Sequence, residues 1–77
     1  MFVYVKGVAM TFSENLLKLR TERGLTQTSV AEAVGIRVLT YQHYEYGQRE
    51  PRLSTLVAFA DFYGLTLDEL VCRDPNQ

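Results

Sequence analysis

The most informative part of this 77-residue chain is residues 26–47, which read TQTSVAEAVGIRVLTYQHYEYG. Apolar residues recur in it at helical spacing, first before Gly35 and again before Gly47. Glycine favours the left-handed backbone conformation found just past the end of a helix. The segment therefore predicts two consecutive short helices, one that begins at Thr26 and one that covers residues 37–46.

The connection between these two helices is predicted to be tight. Ala31 is small enough for the helices to cross closely, and Gly35 allows a sharp bend between them. Two short helices joined in this way form a helix-turn-helix, whose second helix can enter the major groove of DNA.

The remaining sequence predicts three more helices. Gly24 and Gly64 mark the ends of the first and fourth helices, and Pro51 fixes the start of the fourth because proline cannot occupy a helix interior. Capping-box patterns at Thr11 and Thr66 place a carboxylate three residues after a hydroxyl and predict the starts of the first and fifth helices. The apolar residues expected to face the core are Leu16, Leu17, Leu19, Val30, Ala31, Val34, Tyr41, Tyr44, Leu56, Phe59, Ala60, Tyr63, Leu67, Leu70 and Val71.

Three segments follow from this pattern: an N-terminal extension (1–10), an all-α domain of five helices (11–72) and a C-terminal tail (73–77). Residues 2–5, Phe-Val-Tyr-Val, favour a β-strand, but we expect no partner strand in an otherwise helical chain. Three interpretations stay open: the strand pairs with its copy in a dimer, it frays, or Met10 is the true initiator.

Composition limits the classes of function. The chain has 47% hydrophobic and 22% charged residues, which predicts a single small folded domain. Its one cysteine and one histidine can form neither an internal disulfide nor a four-ligand zinc site, and no phosphate-binding glycine loop or nucleophile and base set is evident. We expect no enzyme activity, metal, cofactor, small-molecule ligand or membrane association, and a reducing cytoplasmic location.

The charge is balanced overall but unevenly distributed. The net charge is −1, yet residues 1–52 hold seven basic against five acidic side chains, and residues 53–77 hold one basic against four acidic side chains. The first two-thirds of the chain can therefore face a polyanion such as DNA.

One longer pattern runs through all five predicted helices: Asn15-Leu16-Leu17-Lys18-Leu19-Arg20, Gly24-Leu25-Thr26-Gln27, Ala31, Val34-Gly35-Ile36, Thr40-Tyr41, Tyr44-Glu45, Gly47, Pro51, Leu56, Ala60 and Gly64-Leu65-Thr66-Leu67-Asp68-Glu69-Leu70. In these residues the chain resembles the phage repressor and Cro-like helix-turn-helix family, also called the xenobiotic-response-element type. The resemblance implies a five-helix, lambda-repressor-like bundle that binds operator DNA, usually as a dimer, with the third helix in the major groove.

The residues expected to contact DNA are Gln27, Thr28, Arg37, Val38, Leu39, Thr40, Gln42, His43, Tyr46 and Arg49. Gln27 is the second residue of the second helix, where its amide and the free N–H groups can hold a phosphate; a solvated amide is the alternative. Arg37 replaces the usual capping Ser or Thr, which suits a contact with phosphate or guanine unless packing alone offsets the lost cap. Val38 and Leu39 are apolar where the family has polar residues, which predicts thymine-methyl contacts or a protein-binding patch.

Charged residues at the end of the third helix complete the expected DNA surface. Arg49 and Arg52 follow Tyr46 in a region where the family contacts the DNA backbone, and Glu50 between them weakens the local positive field. Solvated loop charges are the alternative interpretation.

Two further sets of residues have expected roles in scaffold and assembly. The resemblance implies that Arg20 pairs with Glu45 and thereby locks the third helix to the first. Val57, Phe62 and Val71 are candidates for a homodimer interface, because clustered exposed apolar residues usually mark a contact surface. The favoured function is a sequence-specific transcriptional repressor that binds a palindromic operator as a homodimer. The alternative is a protein-interaction module, or antitoxin-like component, on the same fold.

Overall fold

A β-hairpin and five α-helices make up the part of the chain that the computed structural model describes, residues 2–5 and 8–71, with side chains from Met10 onward. The elements are β1 (Phe2–Val5), β2 (Val8–Thr11), α1 (Phe12–Glu22), α2 (Gln27–Val34), α3 (Val38–Glu45), α4 (Leu53–Tyr63) and α5 (Leu67–Leu70). This arrangement confirms the five-helix prediction. None of the described helices is long and apolar enough to cross a bilayer.

The N-terminal extension corrects one expectation. Phe2–Val5 forms the predicted strand, but its partner lies in the same chain, in Val8–Thr11. The two strands pair antiparallel, with Phe2 opposite Thr11. Val8–Thr11 has no strong strand pattern of its own, so its extended conformation depends on backbone pairing with the preceding strand, which local propensity does not reveal.

Threonine side chains define the starts of three helices. The capping residues of α1, α2 and α5 are Thr11, Thr26 and Thr66. At α1 the Thr11 Oγ1 accepts from the Glu14 N–H at 3.2 Å, and the Glu14 carboxylate accepts from the Thr11 N–H at 3.0 Å. The hydrogen bonds that Thr11 donates to this carboxylate, from its N–H and from its Oγ1, lower the pKa of Glu14. In the capping box of α2, Ser29 occupies the position that Glu14 occupies in α1, and its side chain accepts from the Thr26 N–H.

The turn between α2 and α3 has the predicted geometry. Gly35 ends α2 with φ of 78°, in the left-handed region where a side chain would be strained. The Ile36 N–H then donates to the Ala31 carbonyl at 3.0 Å, which closes the end of the helix. Ala31 itself is buried, as expected for a close crossing.

The core is centred on Phe59 of α4. This ring packs edge-on or tilted against Phe12, Tyr41 and Tyr44, with ring centroids 5.9–6.4 Å apart. Such geometry adds to the free energy gained from burial of the aromatic area. The buried apolar residues of the described chain are Phe12, Leu16, Leu19, Val30, Ala31, Tyr41, Tyr44, Phe59, Ala60, Tyr63, Leu70 and Val71.

Two leucines expected in the core are exposed instead. Leu17 and Leu67 both face outward in the structure. In α1 the inward face is occupied by Leu16 and Leu19, and a helical step of 100° turns Leu17 away from it. Two buried residues of α1 were not among those expected in the core, Phe12 and the polar Asn15.

Asn15 ties α1 to α5. Its side chain is buried, and its Nδ2 donates to the Leu70 carbonyl at 2.7 Å. Because α5 is only four residues long, its terminal carbonyl groups need partners outside the helix. An asparagine among apolar positions of an amphipathic helix was the available sequence signal for this contact.

Candidate nucleic-acid interface

The outer face of α3 is open to solvent. Buried Tyr41, Tyr44 and Glu45 attach one side of the helix to the core, while Leu39 on the other side is 59% exposed. Of the ten predicted DNA-contacting residues, the exposed ones are Thr28, Arg37, Val38, Leu39, Tyr46 and Arg49, and the half-buried ones are Gln27, Thr40, Gln42 and His43. The first turn of α3 is therefore accessible within the described chain.

Arg37 occupies the N-cap position of α3, as predicted. Its backbone is extended (φ −70°, ψ 147°), and its side chain makes no capping hydrogen bond to the described residues. The first N–H groups of α3 and the Arg37 guanidinium both lie at this exposed end, which favours an anion or a hydrogen-bond acceptor there.

The predicted Arg20–Glu45 pair is formed and is bidentate. The Arg20 Nε donates to Glu45 Oε2 at 2.8 Å, and the Nη2 donates to Oε1 at 2.9 Å. Arg20 also donates from Nη1 to the Leu25 carbonyl at 2.9 Å, so it connects α1, the loop before α2, and α3. Burial raises the pKa of Glu45, but hydrogen bonds from groups that include Arg20 and Gln27 lower it below its ordinary value.

Buried tyrosine hydroxyls surround this pair. Burial raises the pKa of Tyr41 and of Tyr63, so both phenols stay neutral at physiological pH. The guanidinium of Arg23 lies 4.9 Å from the centre of the Tyr63 ring, in a cation–π arrangement. Arg20 near the end of α1 and Arg23 just after it thus contact α3 and α4 respectively.

The Gln27 amide forms hydrogen bonds within the protein, so it is not simply solvated, and its contact with a phosphate stays a prediction. Its Nε2 donates to Glu45 Oε1 at 3.1 Å and to the Tyr46 hydroxyl at 3.3 Å. Its Oε1 accepts from Gln42 Nε2 at 3.1 Å. These partners lie 15–19 positions away along the chain, so the contacts depend on the crossing of α2 over α3 and have no local sequence signal.

The segment after α3 places two arginines beside the helix. Gly47 has φ of 74°, and the N–H groups of Gln48 and Arg49 both donate to the His43 carbonyl, at 2.8 and 3.3 Å. Arg49 and Arg52 are exposed. A cleft of about 150 Å³ separates this segment from the start of α1, and its lining residues are Thr11, Phe12, Ser13, Tyr44, Gly47, Arg49 and Glu50. It is smaller than the usual small-molecule site.

The candidate dimer residues fall into two groups. Val57 and Phe62 are exposed on α4, and the Phe62 ring packs edge-on against Tyr63 with centroids 4.9 Å apart. Val71 is only 7% exposed and belongs to the core, so the structure corrects its assignment as an interface residue. Leu53, which sequence analysis did not single out, is the most exposed large apolar residue of the described chain.

Metal-binding residue types do not gather within the described part of the chain. No group of three or more His, Cys, Asp or Glu side chains there could hold an ion. His43 is half-buried on α3, and its Nδ1 is enclosed without a hydrogen-bond partner among the described residues.

Comparison with known proteins assigns the class of this fold. Residues 16–70 match the family described as Helix-turn-helix, and the chain belongs to that family. It is 43% identical over 60 residues to a cryptic phage CTXphi transcriptional repressor, RstR, of Vibrio cholerae, a match that covers 78% of this chain and 54% of the relative. It is 39% identical over 66 residues to the uncharacterized regulator YqaE of Bacillus subtilis, covering 86% and 57%. The chain thus spans about half the length of these relatives.

Solved structures agree with this family. The restriction-modification controller protein C.AhdI of Aeromonas hydrophila has a TM-score of 0.72 at 30% identity, covering 77% of this chain and 89% of that one. The P22 c2 repressor, solved with a synthetic operator, has a TM-score of 0.77 at 20% identity, covering 84% and 98%. At this level of identity, the similarity to the P22 c2 repressor is a similarity of fold.

Proposed function

We propose that this protein binds duplex DNA through α3 and regulates transcription, as a repressor. The observation that carries the proposal is an exposed first turn of α3 on a helix held to the scaffold by a bidentate, partly buried ion pair, Arg20–Glu45. A helix that contacts base edges in the major groove must be accessible and must be held in a fixed position on the scaffold. Family membership and the names of relatives, RstR among them, support the same function.

Leu39 and Val38 supply the base contacts in this proposal. Both are exposed and apolar, so they contact thymine methyl groups and favour A·T pairs. Arg37 at the start of α3 binds a phosphate or a guanine edge, and Arg49 and Arg52 neutralise phosphates beside the groove. Base contacts here set specificity, while the arginines set affinity and its dependence on salt.

We further propose that the protein acts as a homodimer through the outer face of α4. Val57 and Phe62 are exposed there, and Leu53 adds apolar area at the start of the same helix. The acidic side chains after Arg52 disfavour this end of the sequence as a DNA surface. A two-fold dimer would present two copies of α3 to operator half-sites about 34 Å apart.

Selection from a random duplex pool, followed by footprinting of the selected sequence, tests this function. We expect a palindrome whose half-sites are one helical turn apart and an affinity that falls steeply as salt rises. Failure to bind any duplex at low salt would refute the proposal.

A protein-interaction module on the same fold is the second candidate. The exposed Val38–Leu39 pair and the net charge of −1 favour it. A salt series separates the two functions, because an apolar protein contact does not weaken by orders of magnitude between low and physiological salt, whereas DNA binding does.

A further inference from the structure

The β1–β2 hairpin has two outer edges, and the chain itself occupies them to different extents. β2 runs without a break into α1, since Thr11 is both the last residue of β2 and the N-cap of that helix. The sheet of the described chain has two strands, so β1 has a neighbouring strand on one side only. The side of β1 that faces away from β2 is its open edge.

One hydrogen bond shows which residues of β1 direct their backbone groups to the open edge. The Thr11 N–H donates to the Glu14 carboxylate at 3.0 Å, so it is not directed to Phe2, the residue opposite it. Phe2 and Thr11 are therefore a non-hydrogen-bonded pair. Such pairs alternate with hydrogen-bonded ones in an antiparallel ladder, so Tyr4 and Ala9 form another. The N–H and C=O groups of Phe2 and Tyr4 thus point to the open edge.

The open edge lacks the features that usually keep a strand edge from pairing. Natural edge strands carry lysine or other charges, proline or a bulge. Residues 2–5 are Phe-Val-Tyr-Val, without charge or proline, and their register with β2 is regular at all four positions. A two-stranded hairpin is also only marginally stable in water, and a stable sheet needs three or more strands. Both points indicate that a further strand pairs with this edge.

A second copy of β1 fits the open edge. Pairing of the two strands about a two-fold axis can place Val3 opposite the Val3 of the other copy. Phe2 of each copy then lies opposite Tyr4 of the other, and these residues exchange backbone hydrogen bonds in both directions. All the N–H and C=O groups that the two open edges present are paired in this register. Neither strand carries a basic residue, so the edge does not suit a nucleic acid.

We propose that the protein self-associates through β1, whose open edge pairs antiparallel with β1 of a second copy to form a four-stranded sheet. This contact uses a different surface from the outer face of α4. Four residues a side are far fewer than the roughly 20–30 of a stable interface, so the contact is weak, with a dissociation constant of about 0.1–1 mM. It therefore reinforces an assembly in which copies are already held close together.

Sedimentation of Phe62→Glu isolates the β1 contact, because this variant carries a charge in place of the apolar ring on α4. It should be monomeric at tens of micromolar and become dimeric towards about 1 mM. Tyr4→Pro in the same background removes an N–H from the open edge, a group that the bonds between β1 and β2 do not use. We expect self-association to weaken about tenfold, since each pair of copies loses two hydrogen bonds.

Ala9→Pro is the matched control for Tyr4→Pro. Ala9 lies opposite Tyr4, and its N–H is directed away from β1, to the other edge of the hairpin. In the Phe62→Glu background it should therefore associate as strongly as Phe62→Glu alone. Thermal unfolding shows that each variant is folded at the temperature of the measurement.

Disulfide cross-linking tests the register independently of these prolines. The chain with Cys72→Ser, which removes the native cysteine, is compared with Val3→Cys or Val5→Cys added. The two copies of residue 3 lie directly opposite, with Cβ atoms about 4.5–5.5 Å apart, close enough for a disulfide after a small shift. The two copies of residue 5 are displaced by four residues, or about 14 Å. Val3→Cys should therefore form linked dimers at least about tenfold faster than Val5→Cys.

Three results would overturn the proposal. They are no association of Phe62→Glu up to about 1 mM, equal weakening by Tyr4→Pro and Ala9→Pro, and equal cross-linking rates at positions 3 and 5. If Tyr4→Pro kept full self-association but weakened binding to a duplex, DNA would be the occupant of the edge and the proposal would also fail. Sedimentation and cross-linking use no DNA, so they test the β1 contact even if α3 binds no duplex.

Discussion

Arg20→Ala tests how α3 is held in place. The substitution removes two hydrogen bonds to the Glu45 carboxylate, at 2.8 and 2.9 Å, and one to the Leu25 carbonyl at 2.9 Å. The Glu45 side chain is 3% exposed, so the variant leaves a buried carboxylate without its cation. Removing one partner of a buried pair costs about 3–5 kcal/mol, and because Arg20 is 16% exposed we expect about 3 kcal/mol.

Thermal unfolding at pH 7 measures this loss. For a domain of this size about 3 kcal/mol corresponds to a fall in Tm of roughly 12–24 °C. Lys18→Ala is the matched control, because Lys18 on the same helix pairs with Glu22 at 3.6 Å with both side chains half-exposed, and it should lose less than about 0.5 kcal/mol. Equal Tm values for Arg20→Ala and Lys18→Ala would refute the assignment of the pair as a lock.

The same pair determines how the loss depends on pH. In the wild type, burial raises the pKa of Glu45 but hydrogen bonds lower it below its ordinary value. Its stabilising effect is therefore present above the pKa of the unfolded chain and is lost as pH falls through the folded pKa. In Arg20→Ala the effect of burial on the Glu45 pKa is no longer offset by Arg20, so protonation of Glu45 removes an unfavourable buried charge. The difference in unfolding free energy between the wild type and Arg20→Ala should therefore narrow from pH 7 to about pH 4. If the difference in unfolding free energy between the two proteins did not change with pH, the buried Glu45 charge would not be the cause of the loss.

Three further substitutions test the turn, the base contacts and the assembly. Gly35→Ala should lower the free energy of unfolding in urea by about 1 kcal/mol, because φ is 78° while the added methyl meets no atom within 4 Å. An unchanged urea midpoint would exclude backbone strain as the reason for glycine at this position. Uracil in place of the contacted thymine should weaken wild-type binding about fourfold, or about 0.8 kcal/mol for one buried methyl, and Leu39→Ala should abolish that difference. A wild type indifferent to uracil at every position would exclude the methyl contact. Phe62→Glu should yield monomers in sedimentation at tens of micromolar, where the wild type is a dimer. A wild-type monomer there would disprove the α4 interface.

Much of the fold was predictable because its signals are local. Threonine caps and glycine ends act within one helical turn, so the starts and ends of the helices could be read from neighbouring residues. The exposed face of α3 also followed from periodicity, since Tyr41 and Tyr44 had to point inward and Leu39 therefore outward.

Other features needed the tertiary structure. The partner of Phe2–Val5 and the bond from Asn15 to the Leu70 carbonyl, 55 positions away, depend on elements meeting in space. The helical pattern placed Gln27 at the start of α2 but could not show which atoms its amide would meet.

The sequence by itself thus determined the helix bounds that threonine caps and glycines mark, and which face of α3 is free. Only the packing of α2 across α3 decided that Gln27 serves Glu45 and Tyr46. The physical reason is range: a cap or a glycine acts on backbone groups three or four residues away, whereas a side-chain hydrogen bond across two helices depends on their crossing geometry.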